Sequence, residues 1–179
     1  MVGQVIWITG LSGAGKTTVS TTLNKRLKKG GLRTILLDGD ILRGLFIESD
    51  NSKLTYSRQE RTTLSYKYGH LCQILSLQGY TVIIATVSMF REIYVWNRLN
   101  LPNYFEIYLN VPLNELRRRD PKNIYRNFYS GETNNVAGLD LKVDEPREPN
   151  LNIEFKSGQT PSEIVDIILD ELKIEGLLR

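Results

Sequence analysis

The chain has 179 residues, 41% hydrophobic and 24% charged, with a formal net charge of +3. That is the length of one domain with ordinary globular composition, and so small a positive excess does not argue for nucleic acid; a basic pocket for a small polyanion explains it equally well. One cysteine, Cys72, excludes an internal disulfide and a cysteine-based zinc site, and one histidine, His70, leaves any His-dependent nucleophile mechanism a single candidate.

The N-terminus lacks the basic region and apolar run of a signal peptide, and no stretch approaches the ~20 apolar residues of a membrane span. A cytoplasmic protein with neither a membrane nor a nucleic acid as partner is expected.

Residues 4–9 are a short β-branched run that reads as a buried strand ending at Gly10. Residues 16–29 carry Val19, Leu23 and Leu27 at helical spacing and stop at Gly30. A second strand covers 33–37 and ends in Asp38-Gly39-Asp40, and residues 41–56 read as polar and irregular. Ser57 and Glu60 form a capping box for a helix to Gly79. The most apolar strand, 81–87, is placed centrally, followed by a helix over 90–99, a strand over 104–111 and a short helix over 112–119. Residues 120–150 hold prolines, glycines and few apolar residues and read as a mobile lid. A fifth strand spans 151–155, and Thr160, Pro161 and Glu163 open a last helix. Strands alternating with helices predict one α/β domain over 1–179: three layers around a parallel sheet of about five strands.

Gly10-Leu-Ser12-Gly13-Ala14-Gly15-Lys16-Thr17 fits the phosphate-loop pattern G-x-x-x-x-G-K-[ST] in full. Its glycines let backbone N–H groups wrap a phosphate at a helix N-terminus; Lys16 bridges the outer phosphates and Thr17 offers its hydroxyl to Mg²⁺. The motif follows a strand and opens a helix, as that mechanism requires. A nucleotide hydrolase of this type carries an acid at a buried strand end, whereas 81–87 ends in Thr86-Val87 before Ser88. The acids sit at Asp38 and Asp40 instead, suited to hold a metal and to take the proton of an attacking hydroxyl. A kinase using ATP and Mg²⁺ is the expectation.

Here the chain resembles the adenylyl-sulfate (APS) kinases. The matching segments are WITGLSGAGKTT (7–18), LDGDILRG (37–44), ERTTLSYKYG (60–69), VSMFRE (87–92), RDPKNIYRNFYSGE (119–132) and GLDLKVDEP (138–146), in order and nearly end to end. The resemblance implies transfer of the γ-phosphate of ATP to the 3′-hydroxyl of adenosine 5′-phosphosulfate. It implies that Lys16, Asp38 and Asp40 are catalytic, with Asp40 the base and Thr17 and Asp40 on the metal. It puts Gly10, Ser12, Gly13, Ala14, Gly15, Thr17, Thr18 and Arg119 on the ATP. It puts Arg43, Tyr56, Arg61, Ser88, Arg91, Lys122 and Val136 at the acceptor, with Lys122, Tyr125 and Arg126 on the lid. Ser88 matches a serine once cast as a phosphorylated intermediate; in-line transfer needs none, and a pocket-lining serine is expected.

The departures concentrate on the acceptor side. The family's asparagine and arginine after Arg61 become Leu64 and Tyr66 or Lys67, and its proline after the Ser88 position becomes Met89. The two phenylalanines that sandwich adenine become Tyr56 and Val136, and the next threonine becomes Ala137. A change of acceptor fits that pattern, and a related group of kinases acts on cytidine diphosphoramidate at the same ribose hydroxyl. The expected partner is a small nucleotide acceptor, and the expected assembly a homodimer. The alternatives are a regulatory nucleotide-binding protein with a decayed acceptor site, opposed by the intact Lys16, Thr17, Asp38 and Asp40, and a nucleotide hydrolase. His70, Cys72, Trp7 and Trp96 read as structural, and of Arg117, Arg118 and Arg119 the last is the functional candidate.

Overall fold

Side-chain parity along the first strand, β1 (Gln4–Thr9), sets the layering. Ile6 and Ile8 enter one apolar cluster, Val5 and Trp7 another, because alternate residues of a strand point to opposite faces. The computed structural model describes residues 2–46 and 57–178. With β2 (Thr34–Asp38), β3 (Thr81–Ala85), β4 (Tyr104–Asn110) and β5 (Leu151–Glu154), β1 forms a parallel sheet in the order β2-β3-β1-β4-β5. Strand β1 is in the middle; β3, expected at the centre, is interior but one place aside, and it ends at Ala85.

Helices α1 (Lys16–Lys29) and α7 (Pro161–Ile174) cover the Ile6 face through Val19, Leu23, Leu27, Val165, Ile168 and Leu172. Burying each such side chain contributes ~1.5–3 kcal/mol. Helices α3 (Arg58–Leu77) and α4 (Arg91–Asn100) cover the Trp7 face through Tyr68, Cys72 and Ile93. The predicted capping boxes are both present, Ser57 with Glu60 and Thr160 with Glu163. Among the described residues, no helix is long and apolar enough to cross a membrane.

Two expectations need correction. Residues 39–46 are not irregular but form α2 (Gly39–Phe46), and the remainder of that stretch, with Tyr56, lies outside the described residues. The helix starts because Asp38 Oδ1 accepts the Asp40 N–H at 2.9 Å and Leu42 is buried. The segment after α5 (Leu113–Arg119) is less bare than its composition suggests. It contains α6 (Ile124–Tyr129) and buries Tyr125, Val136, Ala137 and Leu141.

Candidate active site

The C-terminal ends of β1 and β2, together with β3 between them, bring three chain segments to one edge of the sheet, where ligands bind in open α/β folds. The first is the loop from Gly10 to Thr17. Gly10 takes φ 147°, and a Cβ there would lie 2.8 Å from Leu109 O. Gly15 takes φ 96°, which favours glycine for conformation rather than for space. The loop's carbonyls are held from behind: Lys16 Nζ donates to Leu11 O at 2.8 Å, Tyr125 Oη to Ser12 O at 2.9 Å and Arg119 Nη1 to Gly13 O at 3.3 Å. A loop fixed in this way can turn successive N–H groups toward an anion.

Thr17 and Asp38 meet there, with Thr17 Oγ1 donating to Asp38 Oδ2 at 2.9 Å. These are two hard oxygen donors beside the phosphate loop. They fit Mg²⁺, which takes one or two protein oxygens and completes its shell with phosphate oxygens and water. Asp40 faces cations instead: Arg43 lies 3.1 Å from Oδ1, and Lys122 is ion-paired to Oδ2. Partial burial pushes the Asp40 carboxyl up, but Lys122, Arg43 and Lys16 outweigh it and hold it below the ordinary range. Burial pulls the Lys16 ammonium down to about 8, helped by Lys122 and Arg43 and opposed by Asp40 and Asp38.

A cleft of about 280 Å³ opens on the other side of the loop. Ala14, Gly15, Thr18, Arg119, Phe155 and Lys156 line it. The Arg119 guanidinium stands 5.0 Å from the Phe155 ring centre, and Glu115 accepts from its Nε at 2.7 Å. A planar cation beside a phosphate loop offers a flat, charged face on which a nucleobase can stack. Arg117 and Arg118 are exposed. Phe155 and Lys156 escaped the sequence reading because they follow a strand that is four residues long in a stretch without a motif.

The remaining predicted residues scatter around α3 and α4. Arg61 Nη2 donates to Asn135 O at 3.0 Å, joining α3 to the lid. Arg91 is exposed at the start of α4, and its backbone N–H donates to Asp144 Oδ2 at 3.1 Å. Ser88 is buried with φ 22°, and its hydroxyl lies 2.7 Å from Ser65 Oγ and 2.8 Å from Thr86 Oγ1. Val136 packs into the cluster on the α1 side of the sheet, Met89 against Tyr94 and Tyr108, and Leu64 against the α3–α4 cluster. Arg126 is exposed in α6. Sequence reasoning missed Arg58, which donates to Lys142 O, Glu92 and Asp144 and so ties α3 and α4 to the returning limb of the lid. Its partners are distant in sequence, and its only local signal was a place in the first turn of a capped helix.

A family model described as adenylylsulphate kinase matches residues 2–154. The chain is 38% identical over 170 residues to the cytidine diphosphoramidate kinase of Campylobacter jejuni, covering 95% of this chain and 96% of that protein. It is 34% identical over 179 residues to the adenylyl-sulfate kinase of Rippkaea orientalis, covering 98% and 94%. Among solved structures, the Mycobacterium tuberculosis APS kinase CysC in complex with AMPPNP and APS gives a TM-score of 0.85 at 28% identity, over 96% of this chain and 98% of that one. On these matches, which span most of its length and all of its sheet, the chain belongs to the adenylylsulphate kinase family.

Proposed function

We propose that this nucleotide kinase transfers the γ-phosphate of ATP to the ribose 3′-hydroxyl of a 5′-substituted nucleotide. The observation that carries the reading is the meeting of Thr17 with Asp38 and of Lys122 with Asp40 beside one phosphate loop. Gly10, Ser12, Gly13, Ala14, Gly15, Lys16, Thr17 and Thr18 hold the ATP phosphates, and Arg119, backed by Phe155, contacts the adenine. Thr17 and Asp38, with Asp40 next to them, would hold Mg²⁺. The metal supplies charge neutralisation on the phosphates. Asp40 takes the proton of the attacking hydroxyl, while Lys16 and Lys122 stabilise the charge that develops on the transferred group. Arg43, Arg61 and Arg91 receive the charged 5′-substituent, Tyr56 stacks on the acceptor base, and Ser88 supports the acceptor wall from beneath.

For the acceptor we propose a cytidine diphosphoramidate-like nucleotide. The support is Val136, which offers no π-face and is packed into the core, and the 38% identity to the cytidine diphosphoramidate kinase of Campylobacter jejuni. Losing one stacked face weakens binding by ~1–3 kcal/mol, which a larger purine feels more than a pyrimidine. APS is the second reading, favoured by the adenylyl-sulfate kinase among the relatives and by the retained Arg43 and Arg61. We also place the protein in the cytoplasm as a homodimer, supported by the exposed apolar side chains Ile74, Leu77, Val95 and Leu99 on α3 and α4; light scattering tests the assembly. The test of function is a panel of nucleotides with Mg·ATP, reading ADP release and the phosphorylated position by ³¹P NMR. The cytidine derivative is expected to give the highest kcat/KM. A higher value for APS overturns the acceptor assignment, and turnover with neither overturns the kinase reading.

A further inference from the structure

One buried phenol outside the assigned groups touches the carboxylate turn. Tyr68 lies in α3, and its Oη donates to Gly39 O at 3.0 Å. Gly39 sits between the two carboxylates and is confined: a Cβ there would meet Thr86 Oγ1 at 2.9 Å and Ala85 O at 3.1 Å. The turn is thus pressed against the end of β3 on one side and tied to α3 on the other. Arg43, the cation 3.1 Å from Asp40 Oδ1, lies near enough to the phenol to favour its ionised form against burial. Burial pushes the phenol up to about 12, so it keeps its proton over the working pH range and can donate to one group while accepting from another. A single hydroxyl is therefore bonded to the backbone that aims Asp40 and sits beside the side chain that flanks it.

We propose that Tyr68 is a positioning residue for phosphoryl transfer, its hydroxyl fixing the Asp38-Gly39-Asp40 turn and the Arg43 guanidinium in the geometry that aims Asp40 at the acceptor hydroxyl. The proposal rests on the kinase reading above. Small displacements of a base from its line of attack slow catalysis steeply while leaving remote binding intact. The cleft beside the phosphate loop is lined by neither Tyr68, Gly39 nor Arg43, so contacts made to ATP in that cleft do not run through Tyr68.

The test is Tyr68→Phe, which keeps the ring and removes the hydroxyl. The expected result is a fall in kcat of about 10-fold, with KM for ATP within about 2-fold. In ¹⁵N NMR of the ligand-free protein the Gly39 and Asp40 amides and the Arg43 Nε–H move, while the amides of residues 13–17 stay in place. Wild-type kcat with unmoved Gly39 and Asp40 amides overturns the proposal. If Tyr68→Phe does not fold, 3-fluorotyrosine at position 68 keeps the shape and strengthens the donor; unchanged Gly39 and Asp40 amides in that protein overturn the proposal equally. The amide shifts need no turnover. A wild-type protein that phosphorylates no nucleotide therefore removes the kinase reading, while the shifts still decide whether Tyr68 holds the turn.

Discussion

Lys122, on the segment that follows α5, is ion-paired to Asp40 in the first turn of α2, 82 residues away in sequence. Arg43 stands at the other carboxylate oxygen, so both oxygens of Asp40 face cations. A carboxylate held in this way is a weak base. On the proposed reading, phosphates bound beside Lys16 would compete for Lys122 and leave Asp40 freer to take a proton.

Lys122→Met is expected to lower kcat by at least ~10-fold, because a charge positioned on the transferred group is lost. It should also shift the pH profile. Lys122 is one of the groups that hold the Asp40 carboxyl low. Without it the carboxyl titrates at higher pH, and the acid limb of kcat/KM moves up. A limb at the wild-type position separates Lys122 from the base.

Lys16→Ala and Asp40→Ala are each expected to reduce turnover by at least ~100-fold, with the fold unchanged by circular dichroism. Loss of one preorganised charge or base at phosphoryl transfer typically costs several kcal/mol of transition-state stabilisation. A folded Asp40→Ala protein with near-native turnover would remove that residue from the mechanism.

ATP binding should take up protons near pH 8. The Lys16 ammonium sits at about 8 in the free protein because burial disfavours its charged form. Polyphosphate favours the charged form and raises the value. At pH 8 roughly half a proton per ATP is then drawn from solution. Calorimetric titrations in buffers of different ionisation enthalpy measure it, and Lys16→Met should abolish it.

The segment 120–150 is expected to exchange its amide hydrogens faster than the sheet without ligand, and to slow when both nucleotides are bound. Several of its ties to the body are polar and partly exposed, namely Lys122 to Asp40, Arg58 to Asp144 and Arg61 to Asn135. Its buried anchors are Tyr125, which also donates to Ser12 O, together with Val136 and Leu141. Equal exchange with and without nucleotides, read by mass spectrometry, refutes the lid.

Glu106 on β4 predicts a pH dependence of stability. It is fully buried, paired with Arg98 at 2.5 Å, and its Oε1 has no hydrogen-bond partner. Burial pushes its carboxyl up to about 7, against the opposing pull of Arg98. The folded state therefore binds more protons than the unfolded state between about pH 4.5 and 7, and stability falls as pH rises through that window. Asp40, Asp140, Asp144 and Glu163 are held low and titrate beneath it. Urea unfolding should show a loss of roughly 1–3 kcal/mol from pH 5 to 8, absent in Glu106→Gln.

Local chemistry made much of this protein legible from sequence. The phosphate loop is recognised by backbone conformation that only its own glycines permit, and the capping boxes of α3 and α7 join residues three apart, so each signal lies within a few neighbours. The alternation of strands and helices likewise follows from periodicity within single elements. Other features depended on contacts over long separations. Asp38-Gly39-Asp40 has the local signature of a turn, and it opens a helix because Asp38 caps it and Leu42 finds a buried place. Arg58 reaches Asp144 across 86 residues, and Arg119 finds Phe155 past the end of the neighbouring strand β5. Ser88 stands near a strand end in sequence, but its hydroxyl is enclosed by Ser65 of α3 and by Thr86 just past the end of β3. Which oxygen of Asp40 meets Lys122, and which side of the loop carries the cleft, were decided by packing, because distant segments acquire fixed distances only when both are anchored to the same sheet.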